Sequence, residues 1–468
     1  MEPIKNEKTI LWSLALFFAW VLSFPLHGPV LFAAAAERHL HPEQLGLFFT
    51  FSHAGTLFLF GTMLKDENKW RQLMISSVIL TLLLNILLIP VKSQIWFGII
   101  TILLGFSSSL FVIGWSVPFS RMIASSRLVF TALMMIWANI FYIVFSFLSR
   151  FLPANFLLCL VCLPLACAII PAKACLESTD GKKIPPGERK TPYRILLLLS
   201  ALIFCLYING GIMYNTIIPS FIKLDLLNHD LVILPYVGGL LFMWFIGRLI
   251  RKQATTVFPL YLAAGIMGLG FITMAFLQTS FLPYFAGGIL ILFSIGILDV
   301  FLWTILGQTA EKYANPYKVF GWGLSINVFA LFCGDLLVQK WLAQTPLEHL
   351  VTPLLASGLI FFAILLTPLF TWQVEKDLQN KLRAHARDIS SLNIGRLQSF
   401  PEMSPLKTLT PREREIAMLI LNGDSNKEIA KKLYISENTV KAHQKNINKK
   451  MGITSKHDLL ALAVKALS

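Results

Sequence analysis

Two sets of residues in this chain are of types and spacings that could do chemistry. The first lies between Glu437 and Lys450, where Lys441, Lys445, Lys449 and Lys450 share a face with Ala442, Gln444 and Asn448. Ammonium groups beside small and amide side chains suit contacts with phosphates and with base edges. From 405 to 468 there are twelve Lys and Arg against six Asp and Glu. The second set is polar and interrupts long apolar stretches. It comprises His27 beside Pro25 and Pro29, Asn139, the group Asn209, Tyr214 and Asn215 beside Gly210 and Gly211, Asp299 near Trp303, and Asp335. A carboxylate in apolar surroundings needs a partner or a proton. No Lys or Arg lies in the same stretch as Asp299. His27 is one partner on offer; a cationic ligand or a proton is another.

Other chemistries find no support. There is no G-x-x-x-x-G-K-[ST], no histidine-plus-carboxylate metal motif and no G-x-S-x-G, so the expectation is a protein that is not an enzyme and has no cofactor. Of six cysteines, five fall in or at the edge of apolar runs and Cys175 in a polar loop. Cys159 and Cys162 have metal or redox spacing without a polar neighbour in sequence, so no metal site is expected.

Short helices must position the lysine face, and their caps mark them off. Thr410, Pro411 and Glu413 combine an N-cap hydroxyl, a proline at N1 and a carboxylate at N3. Ser425 with Glu428 and Ser455 with Asp458 repeat the spacing, and Ser436 with Glu437 is a simpler cap. Gly423 and Gly452 stand where the first and third helices should stop. Apolar residues follow at helical spacing: Ile416, Leu419 and Ile420; Ile429, Ala430 and Leu433; Val440, Ile447 and Met451. Only Tyr434 and Ile435 separate Leu433 from Ser436, as in a helix-turn-helix whose second helix enters the major groove.

The segments LTPRERE, SNKEIAKKLYIS and TVKAHQKNINKKMGI closely resemble the LuxR-type (NarL/FixJ-type) helix-turn-helix domain. The resemblance implies binding of double-stranded DNA through the third helix. By position it implies that Lys441, Ala442 and Lys445 face base edges, with Ser425, Asn426, Lys427, Thr439 and His443 near the backbone. The last helix, from Ser455, resembles the element such domains use to dimerise, which leaves a homodimer on DNA open.

The rest of the chain is of another kind. Hydrophobic residues make up 56% and charged ones 14%, with mean hydropathy +0.67 and net charge +15; soluble domains are about a quarter charged. Apolar runs of bilayer-spanning length recur, and twelve are expected, at about 10–35, 44–64, 72–90, 95–117, 127–149, 152–171, 194–217, 231–249, 257–278, 281–304, 318–339 and 350–372. The first is read as a span and not as a cleaved signal. Eighteen basic loop residues fall on the side of the N-terminus and five on the other. The rich side is therefore expected to be cytoplasmic, in a bacterial inner membrane, and an even number of spans returns the C-terminus to it.

The polar, basic loop 172–193 separates six spans from six, a layout that resembles the major facilitator superfamily. The loop GTMLKDENKWRQ departs from that superfamily's motif, with Asp66 one residue late and no second glycine, and GRLIRK keeps only basic fragments. In facilitator-like folds spans one, four, seven and ten line a central cavity. The resemblance thus implies His27, Trp115, Asn209, Tyr214, Asp299 and Trp303 around it, as the site for an unknown small-molecule ligand.

The expected fold class is all-α: a polytopic domain of about twelve spans over 1–372, a linker over 373–404 and a four-helix DNA-binding domain over 405–468. In the linker Leu378, Leu382, His385, Ile389 and Leu392 sit at alternating spacings of four and three. That fits either a helical extension of the last span, paired in a dimer, or an amphipathic stalk on the membrane; 393–405 reads as a hinge. Membrane spans lead almost directly into the linker, leaving no room for a phospho-acceptor receiver domain. The sequence therefore reads as a membrane-integrated one-component transcriptional regulator that senses a small molecule or membrane signal. The alternative is a facilitator-type transporter with a regulatory DNA-binding tail.

Overall fold

The structure is a computed structural model. It describes residues 7–122, 124–168, 193–223, 232–249, 257–276, 281–313, 315–342, 348–392, 408–421, 424–453 and 458–459. Among these every regular element is helical. The chain divides into two compact units, Met1–Phe370 and Thr371–Ser468.

The first unit begins with α1 (Glu7–Ser23), α2 (Pro29–Arg38), α3 (Pro42–Met63), α4 (Trp70–Leu88), α5 (Gln94–Ser120), α6 (Ala124–Leu148), α7 (Ala154–Leu160) and α8 (Cys162–Cys167). It continues with α9 (Tyr193–Lys223), α10 (Leu234–Leu249), α11 (Phe258–Phe276), α12 (Phe281–Tyr313) and α13 (Pro316–Lys340). The last helix, α14 (Glu348–Leu392), crosses the boundary between the units. Among the described residues nine helices are long and apolar enough to cross a membrane. Three shorter apolar helices, Ile10–Ser23, Ala154–Cys167 and Leu234–Leu249, stand where the other three spans are expected. Leu83, Ile95, Phe245 and Phe361 are each more than half exposed. Such an apolar exterior needs lipid around it; this is a multi-pass membrane unit.

Two spans are broken. The first stops at Ser23 and restarts at Pro29, because Pro25 has no N–H to donate and His27 turns left-handed at φ 51°. The sixth is interrupted at Val161. The last, by contrast, outruns its expected end: α14 is one helix of 45 residues continuing to Leu392, so the stretch after Trp372 is a helical extension.

The packing repeats after six spans. Span one packs on span five (α1 on α6) and span seven on span eleven (α9 on α13). Spans two and three pack on span four (α3 and α4 on α5), as spans eight and nine do on span ten (α10 and α11 on α12). The halves meet chiefly through two pairs with the same relation, α3 with α13 and α6 with α10, and α12 also packs on α5 and α6. Glycines set the first of these crossings. A Cβ on Gly61 would lie 2.6 Å from the Cα of Gly321, and one on Gly321 2.5 Å from the Cα of Gly61. Only a pair of glycines lets these backbones touch.

The second unit contains α15 (Pro411–Leu421), α16 (Asn426–Leu433) and α17 (Glu437–Met451). Ile416, Ala417, Ile420, Ile429, Val440 and Ile447 form its core with Leu409 and Leu459. The caps expected at Thr410, Ser425 and Ser436 are present. Thr410 N donates to Glu413 Oε2 at 2.8 Å and Glu413 N to Thr410 Oγ1 at 3.3 Å. Ser425 and Glu428 form a full capping box, and Ser436 accepts from Thr439 N at 3.0 Å. Gly423 and the Ser455 cap lie outside the described residues. Gly452 closes α17 at φ 67°. Nothing lies within 4 Å of a Cβ placed there, so its requirement is conformational. Gly452→Val should therefore destabilise the fragment 405–468 by about 1–2 kcal/mol, read by thermal melting, while Gly452→Asn costs less.

Glu413 is 4% exposed and also receives Lys450 Nζ at 2.6 Å. This bond, with the Thr410 N–H, holds its carboxyl at about 2, below the ordinary 4.5. A depressed carboxyl stabilises the fold above its unfolded value, and the gain is lost as pH falls towards 2. Glu413→Gln should lower the melting temperature of the fragment at pH 7, and the gap from wild type should close between pH 4.5 and 2.

Candidate nucleic-acid interface and membrane carboxylate site

The helix-turn-helix is built from α16 and α17. Tyr434 makes the turn at φ 54°, and Ile435 N donates to Ala430 O at 3.0 Å. Two bonds fix the angle between the helices. Asn426 Nδ2 donates to Gln444 Oε1 at 3.3 Å, and Gln444 Nε2 to Asn426 Oδ1 at 2.9 Å. Arg412 ties α15 to the end of α16 by donating to Leu433 O at 3.0 Å.

On α17, Lys441, Ala442 and Lys445 are exposed together, one turn apart as a groove-reading face requires. Lys427 is exposed, and Ser425, Asn426, Thr439 and His443 are half-buried. The lysine face is smaller than the sequence implies, because Lys450 is bound to Glu413. Lys432 is likewise held by Asp424 at 2.7 Å. Gln444, placed on the exposed face from sequence, is taken up by Asn426.

In the membrane unit Asp299, on α12, is satisfied by two phenols. Tyr207 of α9 donates to Oδ1 at 2.8 Å and Tyr236 of α10 to Oδ2 at 2.7 Å. His27 is therefore not its partner. That ring lies against Gly46 of α3, and the charges acting on it are those of Asp335 and Glu43. Asn209 is buried, and its amide donates within its own helix to Cys205 O and Leu206 O. The side chain of Tyr214 lies outside the described residues. Trp115 corrects the cavity assignment in another way: it is fully buried, so it lines no open space. It packs instead on Trp303 at 5.2 Å and on Phe119 at 4.5 Å. Tyr207 and Tyr236 were not anticipated; their one signal in sequence is a hydroxyl within an apolar run.

Residues 299, 303, 307 and 311 recur every four positions and so share one face of α12. Asp299 faces the two tyrosines, and Trp303 packs on Phe18, Trp115, Phe119 and Phe320. A Cβ at Gly307 would meet the Phe119 ring at 2.7 Å and Arg127 at 3.1 Å. Glu311 pairs with the fully buried Arg127 at 2.9 Å. Arg127 also donates to the carbonyls of Phe119, Ser120 and Met122. One helix face thus runs about 18 Å from a carboxylate held within the second half to an ion pair with the first.

A second tie joins the halves nearby. Asn315 donates to Leu64 O at 3.0 Å, and Tyr317 OH to Asp66 O at 3.3 Å. The Asp66 carboxylate accepts locally from Asn68 N at 3.0 Å. The loop with the altered motif therefore joins the halves through its backbone carbonyls.

Comparisons with known proteins agree with these two architectures. A family model described as "Bacterial regulatory proteins, luxR family" matches residues 407–463. The "Oxygen regulatory protein NreC" of Staphylococcus aureus, in strains JH9 and JH1 among others, is 49% identical over 61 residues, 13% of this chain. The chain spans 28% of the length of those relatives. Among solved structures, the human organic anion transporter MFSD10 (TETRAN) superposes with TM-score 0.61 at 15% identity, over 78% of this chain and 100% of that one. A bacterial homologue of the iron transporter ferroportin in an outward-facing state gives 0.53 at 13%, over 78% and 99%. At these identities the likeness is one of fold.

Replacing Lys441 or Lys445 by Ala should cost about 1–3 kcal/mol in operator binding by the fragment 405–468 and relax its sequence preference. Lys427→Ala should weaken all sequences alike; competition against altered operators separates the two patterns. Residues 407–463 are a LuxR-type helix-turn-helix, in a chain whose membrane unit has the fold of facilitator-type transporters.

Proposed function

We propose that this chain is a bacterial membrane-integrated one-component transcriptional regulator. Its divisions are a membrane domain over 1–372, a linker over 373–404 and a DNA-binding domain over 405–468. The membrane is the inner one, with both termini cytoplasmic. The membrane domain senses a small molecule or membrane signal, and its state governs how the LuxR-type domain binds DNA. It acts through binding and catalyses no reaction.

The observation that carries this reading is the face of α12 from Asp299 to Glu311. A ligand that engages Asp299 must act against Tyr207 and Tyr236. The same rigid helix ends in the Arg127–Glu311 pair and the contact of Gly307 with Phe119. Leaving the fully buried Arg127 without its carboxylate is costly, which favours discrete arrangements over graded ones. The signal follows if the ligand binds one arrangement more tightly; moving the balance from 1:99 to 99:1 takes about 5.5 kcal/mol of differential affinity. α14 runs unbroken from the last span through the linker to Leu392, which offers a route for the signal. The transporter alternative rests on the fold likeness, and uptake of labelled compounds into vesicles tests it.

The sensing claim is tested with a reporter gene driven by the chain's operator. Asp299→Asn should accumulate normally yet lose the response to the inducing condition or lock it on. Glu311→Gln should shift the basal level instead, with the response still present. A response that merely scales with protein level in both variants would make α12 structural and refute the coupling.

A further inference from the structure

The chemical class of the ligand follows from what surrounds Asp299, given the reading of that residue as part of a sensing site. Among the described residues its partners are Tyr207 and Tyr236, and no Lys, Arg or His pairs with it. Both tyrosines are neutral donors, so the site keeps a formal negative charge. Asp299 is half-buried between the buried Leu298 and Val300, so open space reaches it. Each carboxylate oxygen has given one lone-pair direction to a phenol and retains another. One turn away Trp303 is buried, and the half-buried Phe18 ring stands edge-on to it at 5.5 Å. Carboxylate, phenols and the Phe18 ring together offer negative charge and an electron-rich ring face.

Three ligand classes fit poorly. An anion meets a like charge with no cationic side chain among the described residues to offset it. A divalent metal needs more anionic or imidazole ligands; among the described residues no group of three His, Cys, Asp or Glu could hold one. A polyhydroxylated neutral compound needs an array of polar partners, whereas around Trp303 the neighbours are Phe18, Trp115, Phe119 and Phe320.

We propose that the Asp299–Tyr207–Tyr236 site binds a monovalent organic cation, an alkyl or aryl ammonium. Its charge sits on the free side of the carboxylate and its apolar part against the half-buried Phe18 ring that covers Trp303. The cation supplies the counter-charge that the described residues do not.

The test uses the full-length protein in zwitterionic nanodiscs. Three probes of matched size are compared: benzyltrimethylammonium, its neutral isostere neopentylbenzene, and benzenesulfonate. Binding is followed by tryptophan fluorescence and by the unfolding midpoint. The quaternary cation should bind at least tenfold more tightly than the other two, and Asp299→Asn should remove that preference. Because benzyltrimethylammonium has no ionisable proton, a site that answers only to pH would not respond to it, and that result would overturn the proposal. Equal binding of all three probes, or preference for the sulfonate, would do the same. Should Asp299→Asn fail to fold, Phe18→Leu serves: it should lose severalfold affinity for the cation and less for the isostere, and equal losses would contradict the assignment. If cation binding is lost in Asp299→Asn while the reporter still responds to its inducing condition, the cation site stands and sensing through it falls. If the neutral or anionic probe binds through Asp299 and the reporter response is also lost, sensing stands and the cation class falls.

Discussion

A carboxylate halfway along an apolar helix has to be satisfied by whatever packs beside it, and in the membrane unit that requirement is met by Tyr207 and Tyr236. These come from two different helices, so the side chain of Asp299 ties α9, α10 and α12 together within the second half. The rest of that helix face then meets the first half through Trp303, Gly307 and Glu311. The phenols satisfy hydrogen bonds, and among the described residues no basic side chain balances the charge. Full satisfaction by a basic side chain would have made the same junction inert.

The DNA-binding domain solves a related problem with the opposite balance. Its only deeply buried carboxylate among the described residues, Glu413, is neutralised within the domain by Lys450. That pair joins the start of α15 to the end of α17, while the Asn426–Gln444 amide pair fixes α16 against α17. These ties engage Lys450 and Gln444 within the domain and leave Lys441, Ala442 and Lys445 exposed. The domain has its own core and its own caps, so its fold owes little to the membrane unit. What the membrane unit can influence is where the domain is and what it meets.

Much of this was legible in the sequence where the cause is local. The boxes at Thr410–Glu413 and Ser425–Glu428 are three residues wide, and the left-handed end at Gly452 needs only a glycine. Apolar runs give the spans because a bilayer fixes their length. The break at His27 is announced by Pro25 and Pro29. The failures come from distance in sequence. Tyr207 and Tyr236 lie 92 and 63 residues from Asp299, and nothing in an apolar run says which way a hydroxyl points. Trp115 belongs to an expected cavity-lining span, yet helix membership does not fix rotation about the axis, and it faces the core. Lys450 looked like one more phosphate ligand because its partner lies 37 residues back.

The central claim is that the membrane unit and the DNA-reading domain form one regulator, which requires the domain to stand on the side of the membrane where DNA is. Topology decides this most directly. Paired alkaline phosphatase and green fluorescent protein fusions after Ser468, with others near Lys92 and Arg150 as controls, report the side of each position in living cells. The account predicts fluorescence without phosphatase activity at the C-terminus, and phosphatase activity at both control positions. Phosphatase activity after Ser468 would contradict it, because the lysine face of α17 could then never reach an operator.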